Sequence, residues 1–290
     1  RRTTAQWFEP TLLIGSQIVE ELFTVIPHPS RYATALLAQY LVPHLQCEYR
    51  EIMQKTVDKP HPSTIRPRDA ATLILVRRDA EIPRILMGKR HQAHKFMPGK
   101  FVFPGGRVDV GDCRISIEHG LQADVAEKLL SGMKGKPSSA RATGIALAAV
   151  RETFEEVGLI IGQRGSAPRT RNRAWQQFYA TGFTPVLSGL RLLARAVTPP
   201  GRPRRFDTRF FMADAATLAN IDSPMVPETD EILSPHWVSI DEARQLDLPW
   251  ITDQILNRLK SALQDTEPFG QQRPVTYQYM RGADWKYETL

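Results

Sequence analysis

"AAVRETFEEVG", residues 148–158, crowds three glutamates and an arginine into six positions. Leu147, Val150, Phe154 and Val157 recur at three- and four-residue spacing, which predicts a helix with one buried face. Gly158 is placed to close it, since glycine accepts the left-handed conformation that ends many helices. At about 100° per residue, Glu152, Glu155 and Glu156 fall almost opposite the apolar stripe. Glu152 is one turn from both of the others, and like charges so spaced cost roughly 0.2–0.5 kcal/mol per pair. Arg151 can pair with Glu155 at i+4, but one cation does not neutralise three anions. A divalent cation does, and carboxylate clusters are the usual ligands of hard ions such as Mg²⁺ or Mn²⁺. The competing reading is a solvated helix face that tolerates its own repulsion.

The context upstream favours the ion. "KFVFPGGRVDVGD", 100–112, reads as a short apolar strand followed by a Pro-Gly-Gly turn. Two glycines after a strand allow close backbone approach and expose carbonyls that can ligate the same ion.

Together these residues resemble the box of the Nudix hydrolase family: Gly, five residues, Glu, seven residues, then R-E-U-x-E-E-x-G-U, with U aliphatic. Gly106 opens the pattern, Asp112 stands at the first Glu, and "RETFEEVGL", 151–159, supplies the rest with Thr153 at the first U. Two departures are plain. Asp replaces Glu at 112, and 38 residues separate Asp112 from Arg151 where the family has seven, so about 31 are inserted.

The resemblance implies an α+β Nudix fold, a mixed β-sheet sandwiched between helices, over 70–264 with an insertion at 113–142. It also implies hydrolysis of a phosphoanhydride in a compound where a nucleoside diphosphate is linked to another group. Such chemistry needs cations to neutralise the diphosphate and acidify an attacking water, and a base to take its proton. By resemblance Glu152, Glu155 and Glu156 are the ligands of Mg²⁺ or Mn²⁺, with the Gly106 carbonyl close by. Arg151 orients the carboxylates by two-pronged pairing. A further acid is expected from "VPETDEILSPHW", 226–237, with Glu231 favoured over Glu228.

"LMGKRHQAHKFMPGKFVFPGG", 86–106, carries a second resemblance, to the coenzyme A diphosphatases of the family. Their motif is L-L-T-x-R-[SA], three residues, Arg, three residues, Gly, three residues, FPGG. Arg90, Gly99 and Phe103 keep the spacing; Lys95 stands at the second Arg, Gly88 at Thr and His91 at the small residue. Arg90, Lys95 and Lys89, with Gly105 of the turn, are therefore the expected substrate-binding residues. The expected substrate is coenzyme A or a short acyl derivative; the alternative is ADP-ribose or NADH. A different class, a non-catalytic Nudix-fold protein that binds nucleotides or RNA, has little need for three mutually repelling glutamates.

Composition sets the outer bounds. The chain has 290 residues, is 42% hydrophobic and 24% charged, and can bury a full core. A net charge of +7 and a pI near 9.5 favour anionic partners, here a small diphosphate compound. The basic run "RTRNR", 169–173, lacks the interleaved aromatics that stack nucleic-acid bases, so it reads as a solvated loop. Cys47 and Cys113 form no CxxC pair, which suggests neither a disulfide framework nor a zinc site and fits a cytoplasmic chain. No run of 18 apolar residues and no cleavable leader is legible, so no membrane partner is expected.

Along the chain, 1–56 reads as an N-terminal helical extension, in pieces near 13–25 and 31–56, and a homodimer contact there is admissible. A proline-bearing linker follows at 57–69, then two strands, 70–78 and 84–90, that form a hairpin. Leu121, Val125 and Leu129 predict a helix within the insertion. A short helix near 174–180 and strands near 190–197 and 205–213 come next. "HWVSIDEARQL" is expected to turn a strand into one closing helix, 241–263, capped by Asp241. Residues 265–290 are expected to be an irregular tail.

Overall fold

"RDAATLILVR" alternates little because it is buried on both sides. It forms β1 (Arg68–Arg77), the strand around which the domain is built. Ala71, Leu73 and Leu75 enter one apolar cluster, Ile74 and Val76 the other. The computed structural model describes residues 65–93, 97–265, 267–270 and 273–290. The helices expected at 13–25 and 31–56, most of the linker, and Lys95 lie outside them.

β1 pairs antiparallel with β2 (Arg84–Arg90) at its end, Val76 opposite Ile85. After β3 (Phe101–Val102), which pairs with β2, the turn strand β4 (Gly105–Arg107) returns to β1, with Ala71 opposite Gly106 and Thr72 opposite Gly105. A 3₁₀ turn at Asp112–Arg114 leads into the insertion, whose helix α1 is Ala123–Ser131. Val125 and Leu129 are its buried pair, as the four-residue spacing predicts. The box helix α2 spans Ser139–Val157 and so begins inside the stretch expected to be insertion.

β5 (Gly162–Arg164) and β6 (Phe183–Pro185) form a small separate ribbon, flanking α3 (Arg173–Ala180). β7 (Arg191–Val197) and β8 (Phe206–Asp214) are antiparallel, and β8 runs parallel to β1 from Arg68 opposite Phe206 to Val76 opposite Asp214. β9 (Ile232–Ser239) pairs with β2. The mixed sheet thus has α2 and α3 on one face and the helix Trp250–Leu263 on the other. That is the α+β arrangement expected.

Three expectations fail at the C-terminal end. The closing helix is two helices, α4 (Ile240–Ala243) and α5 (Trp250–Leu263). Pro249 stops the run because proline lacks the N–H of a helix interior and opens α5 instead. The cap is Ser239, not Asp241: its hydroxyl accepts from the Glu242 N–H while the Glu242 carboxylate accepts from the Ser239 N–H, a reciprocal capping box. Residues 276–289 are also not irregular. They form a hairpin, β10 (Thr276–Arg281) and β11 (Asp284–Thr289), which extends the sheet beyond β7. "TYQYMRGADWKYET" is rich in strand-forming aromatics around a two-residue turn, and that signal was legible.

No helix among the described residues is long and apolar enough to cross a membrane.

Candidate active site

α2 starts where the Ser138 hydroxyl accepts from the Arg141 N–H, and it ends at Gly158 with φ +72°. The Gly158 N–H donates to the Phe154 carbonyl at 2.8 Å, and a side chain there would press into the backbone of Val226. The helix is buried nearly all round, not on one stripe. Ala148, Ala149 and Thr153 are buried together with Leu147, Val150 and Val157. Thr153 is tolerated at an aliphatic position because its hydroxyl donates to the Ala149 carbonyl at 2.7 Å.

The face carrying the glutamates is not solvated; it lies under the Gly-Gly turn of β4. The Gly105 N–H donates to Glu156 Oε2 at 2.7 Å. At Gly106 a Cβ would lie 2.5 Å from both carboxylate oxygens of Glu152, so only glycine leaves room for that carboxylate. Glu156 is 1% exposed, and among the described residues its Oε1 has no hydrogen-bond partner; the Arg90 Nη2 lies 3.8 Å from it.

Arg151 organises the other side. Its Nε donates to Asp112 Oδ1 at 2.9 Å and its Nη2 to Asp112 Oδ2 at 3.1 Å and to the Arg107 carbonyl at 3.0 Å. Nη1 is left for Glu155 Oε2 at 2.6 Å and Glu152 Oε1 at 2.9 Å. Asp112 is fully buried, which the shorter acid survives because every lone-pair direction finds a donor: the Asp109 N–H reaches Oδ2 and the Trp175 indole N–H reaches Oδ1, both at 2.8 Å.

Electrostatics follow from this packing. Burial, then the charges of Glu155 and Glu231, push Glu152 up to about 7 against the pull of Arg151. Glu156 is also raised, first by burial and then by Glu152 and Glu231, although the Gly105 N–H and Arg90 oppose it. Two buried carboxylates that resist ionisation side by side have less positive charge around them than they need: Arg151 is shared with Asp112 and Glu155, and Arg90 stands off at 3.8 Å.

The expected site residues are placed unequally. Glu152 and Glu156 meet under the turn, whereas Glu155 reaches to Arg151. Among the described residues no three His, Cys, Asp or Glu side chains form a ready-made metal cluster. Glu231 acts electrostatically on both Glu152 and Glu156, and its carbonyl accepts from the His91 N–H at 3.0 Å. Glu228 is tied elsewhere: its N–H donates to the Glu155 carbonyl, and its carboxylate accepts from Gln177 of α3 at 3.0 Å. Arg90 lines the Glu156 side of the site; Lys89 is exposed. Lys95 lies outside the described residues. Trp175 was missed. "RAWQQFYA" shows its apolar face through Trp175, Phe178 and Tyr179, but nothing in the sequence says where an indole N–H points.

A Caenorhabditis elegans protein named "Putative nudix hydrolase 7" is 29% identical over 192 residues, which is 61% of this chain and 54% of that protein. The chain therefore spans about half the length of this curated relative. Among solved structures, a NUDIX hydrolase from Alicyclobacillus acidocaldarius superposes with a TM-score of 0.50 at 24% identity, covering 67% of this chain and 91% of that one. The NUDIX domain of Shewanella oneidensis NrtR, solved with ADP ribose, gives a TM-score of 0.40 at 9% identity over 72% of this chain and 97% of that one, too distant to bear on the ligand here. No family model matches the chain. The fold is the Nudix fold, and over 192 residues the chain is similar to a curated protein named as a nudix hydrolase.

Proposed function

We propose that the chain is a metal-dependent Nudix hydrolase that cleaves the phosphoanhydride bond of a nucleoside diphosphate-linked compound, with coenzyme A or a short acyl-coenzyme A as substrate. The observation that carries the hydrolase reading is the buried Glu152–Glu156 pair under Gly105 and Gly106, with one carboxylate oxygen that finds no hydrogen-bond partner among the described residues. An all-oxygen donor set of that charge suits Mg²⁺ or Mn²⁺. Glu152, Glu156 and the Gly106 carbonyl would hold the ion, with Glu155 held by Arg151 beside them. When bound, the ion supplies charge neutralisation of the diphosphate and a more acidic water.

The chain's own groups do the rest. Arg90, beside Glu156, binds the diphosphate and sets its approach. Arg151 holds Glu152 and Glu155 in orientation. The Glu231 carboxylate takes the proton of the attacking water, because it is the acid of the 226–237 segment that is felt at both buried glutamates. Glu228 positions its loop through Gln177 and the end of α2.

The spacing of 86–106 supports the coenzyme A assignment, and so does the net charge of +7, since coenzyme A bears a 3′-phosphate beside its diphosphate. The products are 3′,5′-ADP and a 4′-phosphopantetheine compound. A panel of diphosphate compounds with Mg²⁺ or Mn²⁺, read by product mass, tests the reaction. Comparing kcat/KM for coenzyme A, dephospho-coenzyme A, ADP-ribose and NADH tests the substrate. Less than a tenfold preference for coenzyme A over ADP-ribose, only ~1.4 kcal/mol, removes that assignment and leaves the reaction class.

A further inference from the structure

Asp112 does the work of a longer acid, and the group that lets it do so comes from outside the box. An aspartate is one methylene shorter than a glutamate, about 1.5 Å of reach. The loss is met from two sides. The 3₁₀ turn Asp112–Arg114 folds the backbone back so that the Asp109 N–H grips Oδ2. From α3, the Trp175 indole N–H grips Oδ1 at 2.8 Å.

We infer that Trp175 is a positioning residue for the carboxylate site, acting through Asp112 and Arg151. The inference rests on the hydrolase reading above.

The geometry forms one chain of contacts. Trp175 is fully buried and held in an aromatic cluster, its ring 5.4 Å from that of Phe178 and 6.0 Å from that of Tyr179, so its N–H has a fixed direction. Phe154 of α2 packs edge-on against Phe178 at 5.3 Å, which ties the cluster to the box helix itself. Rotation of a carboxylate about its last bond is soft and roughly two-fold, so donors, not the torsion, fix the plane of Asp112. The Asp112 oxygens must lie in the plane of the Arg151 fork for Nε and Nη2 to be bound together. Only then does Nη1 point at Glu152 and Glu155. Without the indole N–H, Oδ1 keeps one donor of two, the carboxylate plane loosens, and the arginine fork swings with it. The buried glutamates lose their orientation although no ligand has been touched.

A structural tryptophan and a positioning one are separated by what compensates for the loss. Trp175→Phe keeps an aromatic ring in the cluster but removes the N–H and one ring of volume. Asp112→Glu adds a methylene that would crowd the indole, yet would fill the space it vacates and reach Arg151 without help. The test therefore uses Trp175→Phe, Asp112→Glu and the double variant in the full chain. Four quantities are read: kcat and KM on the best substrate, Mn²⁺ affinity by electron paramagnetic resonance, and thermal stability. Expected for Trp175→Phe is a fall in kcat and in Mn²⁺ affinity of about tenfold each, the low end for losing an outer partner of a metal site, with KM within about twofold. The double variant should recover most of both.

Native kcat and Mn²⁺ affinity in Trp175→Phe overturn the inference, as does a double variant no better than the worse single one. If Trp175→Phe does not fold, incorporation of 3-benzothienylalanine at 175 replaces the N–H by sulfur at nearly constant shape. It must show the same kcat and Mn²⁺ losses, and native values there overturn the inference equally. Failure of the unaltered chain to bind Mn²⁺ or cleave any diphosphate sinks the hydrolase reading, and is distinct from an unaltered chain that works and a Trp175→Phe variant that works as well.

Discussion

Gly106 and Glu152 are in contact: any side chain at 106 would begin 2.5 Å from both oxygens of the Glu152 carboxylate. The box thus begins with glycine because the turn and the helix share one small space, from which the buried charge pair follows. Gly106→Ala is expected to displace the Glu152 carboxylate while leaving β4 paired with β1. A displacement of about 1 Å at such a site costs on the order of 100-fold in turnover. Kinetics together with Mn²⁺ titration check this, and an alanine variant with native ion affinity would contradict the shared-space account.

Glu155 and Glu156 should respond differently to neutralisation, since they are held differently. Glu156→Gln removes a buried acid that resists ionisation but keeps an acceptor for the Gly105 N–H, so the ion-free protein should melt higher than the unaltered chain as the pH is raised. A gain of 1 kcal/mol corresponds to about 2–4 °C for a domain of this size. Glu155→Gln removes the partner of Arg151 and should leave melting unchanged or lower it slightly. Turnover should fall far more for Glu156→Gln. Equal melting shifts in the two variants would show that the charges are not partitioned as the contacts indicate.

The helix, the Gly-Gly turn and their association were legible because like charges on one face demand a countercharge wherever the chain goes. The burial of that face was not legible. A period of 3.6 sorts apolar from polar residues, and Arg151 and Glu156 count as polar although both end up under β4. The same limit hid Trp175, whose apolar face is periodic but whose polar edge meets a residue 63 positions away. Glu231 stood out only as one acid among three; its closeness to the helix depends on β9 pairing with β2, a long-range event.

The C-terminal errors have another cause. Ser239 and Asp241 are both good caps, and only the reciprocal bond with Glu242 selects the first. The β10–β11 hairpin is legible from its strand-forming aromatics and two-residue turn, but not from hydrophobic alternation, which this run of polar and aromatic residues lacks. It is the parallel pairing with β7, Tyr277 opposite Arg195, that gives those aromatics a surface.

The insertion should behave as part of the core. Leu129 of α1 is 2% exposed within the cluster that contains α2, and the Gly132 carbonyl that follows accepts from Arg195 of β7. Leu129→Ala should lower stability by about 2–5 kcal/mol, the usual range for an aliphatic side chain removed from a packed interior. Chemical denaturation measures it. Replacing 118–138 by a short Gly-Ser link should cost at least as much; a shortened chain of native stability would instead mark the insertion as a detachable lid.

The pH dependence has a definite sign without the ion. Glu152 sits at about 7 in the folded chain, and Glu156 is raised as well, whereas a free glutamate titrates near ~4.3. Between these values the folded protein holds protons that the unfolded chain has released, so its stability falls as the pH rises. The Glu152 contribution is complete below about pH 4 and is lost as the pH passes through about 7; that of Glu156 has the same sign. Asp69, lowered by its bonds to Arg141 and Arg209 against the effect of its burial, acts with the opposite sign but below pH 4, outside that window. Binding a divalent ion needs the deprotonated carboxylates, so affinity should climb with pH through the region around 7 where Glu152 titrates and be accompanied by proton release. Denaturation of the ion-free chain from pH 5 to pH 8 should therefore show a decline that Mg²⁺ removes and that Glu156→Gln reduces. A flat ion-free profile across that range would mean that the two carboxylates are not the buried, mutually repelling pair on which the site depends.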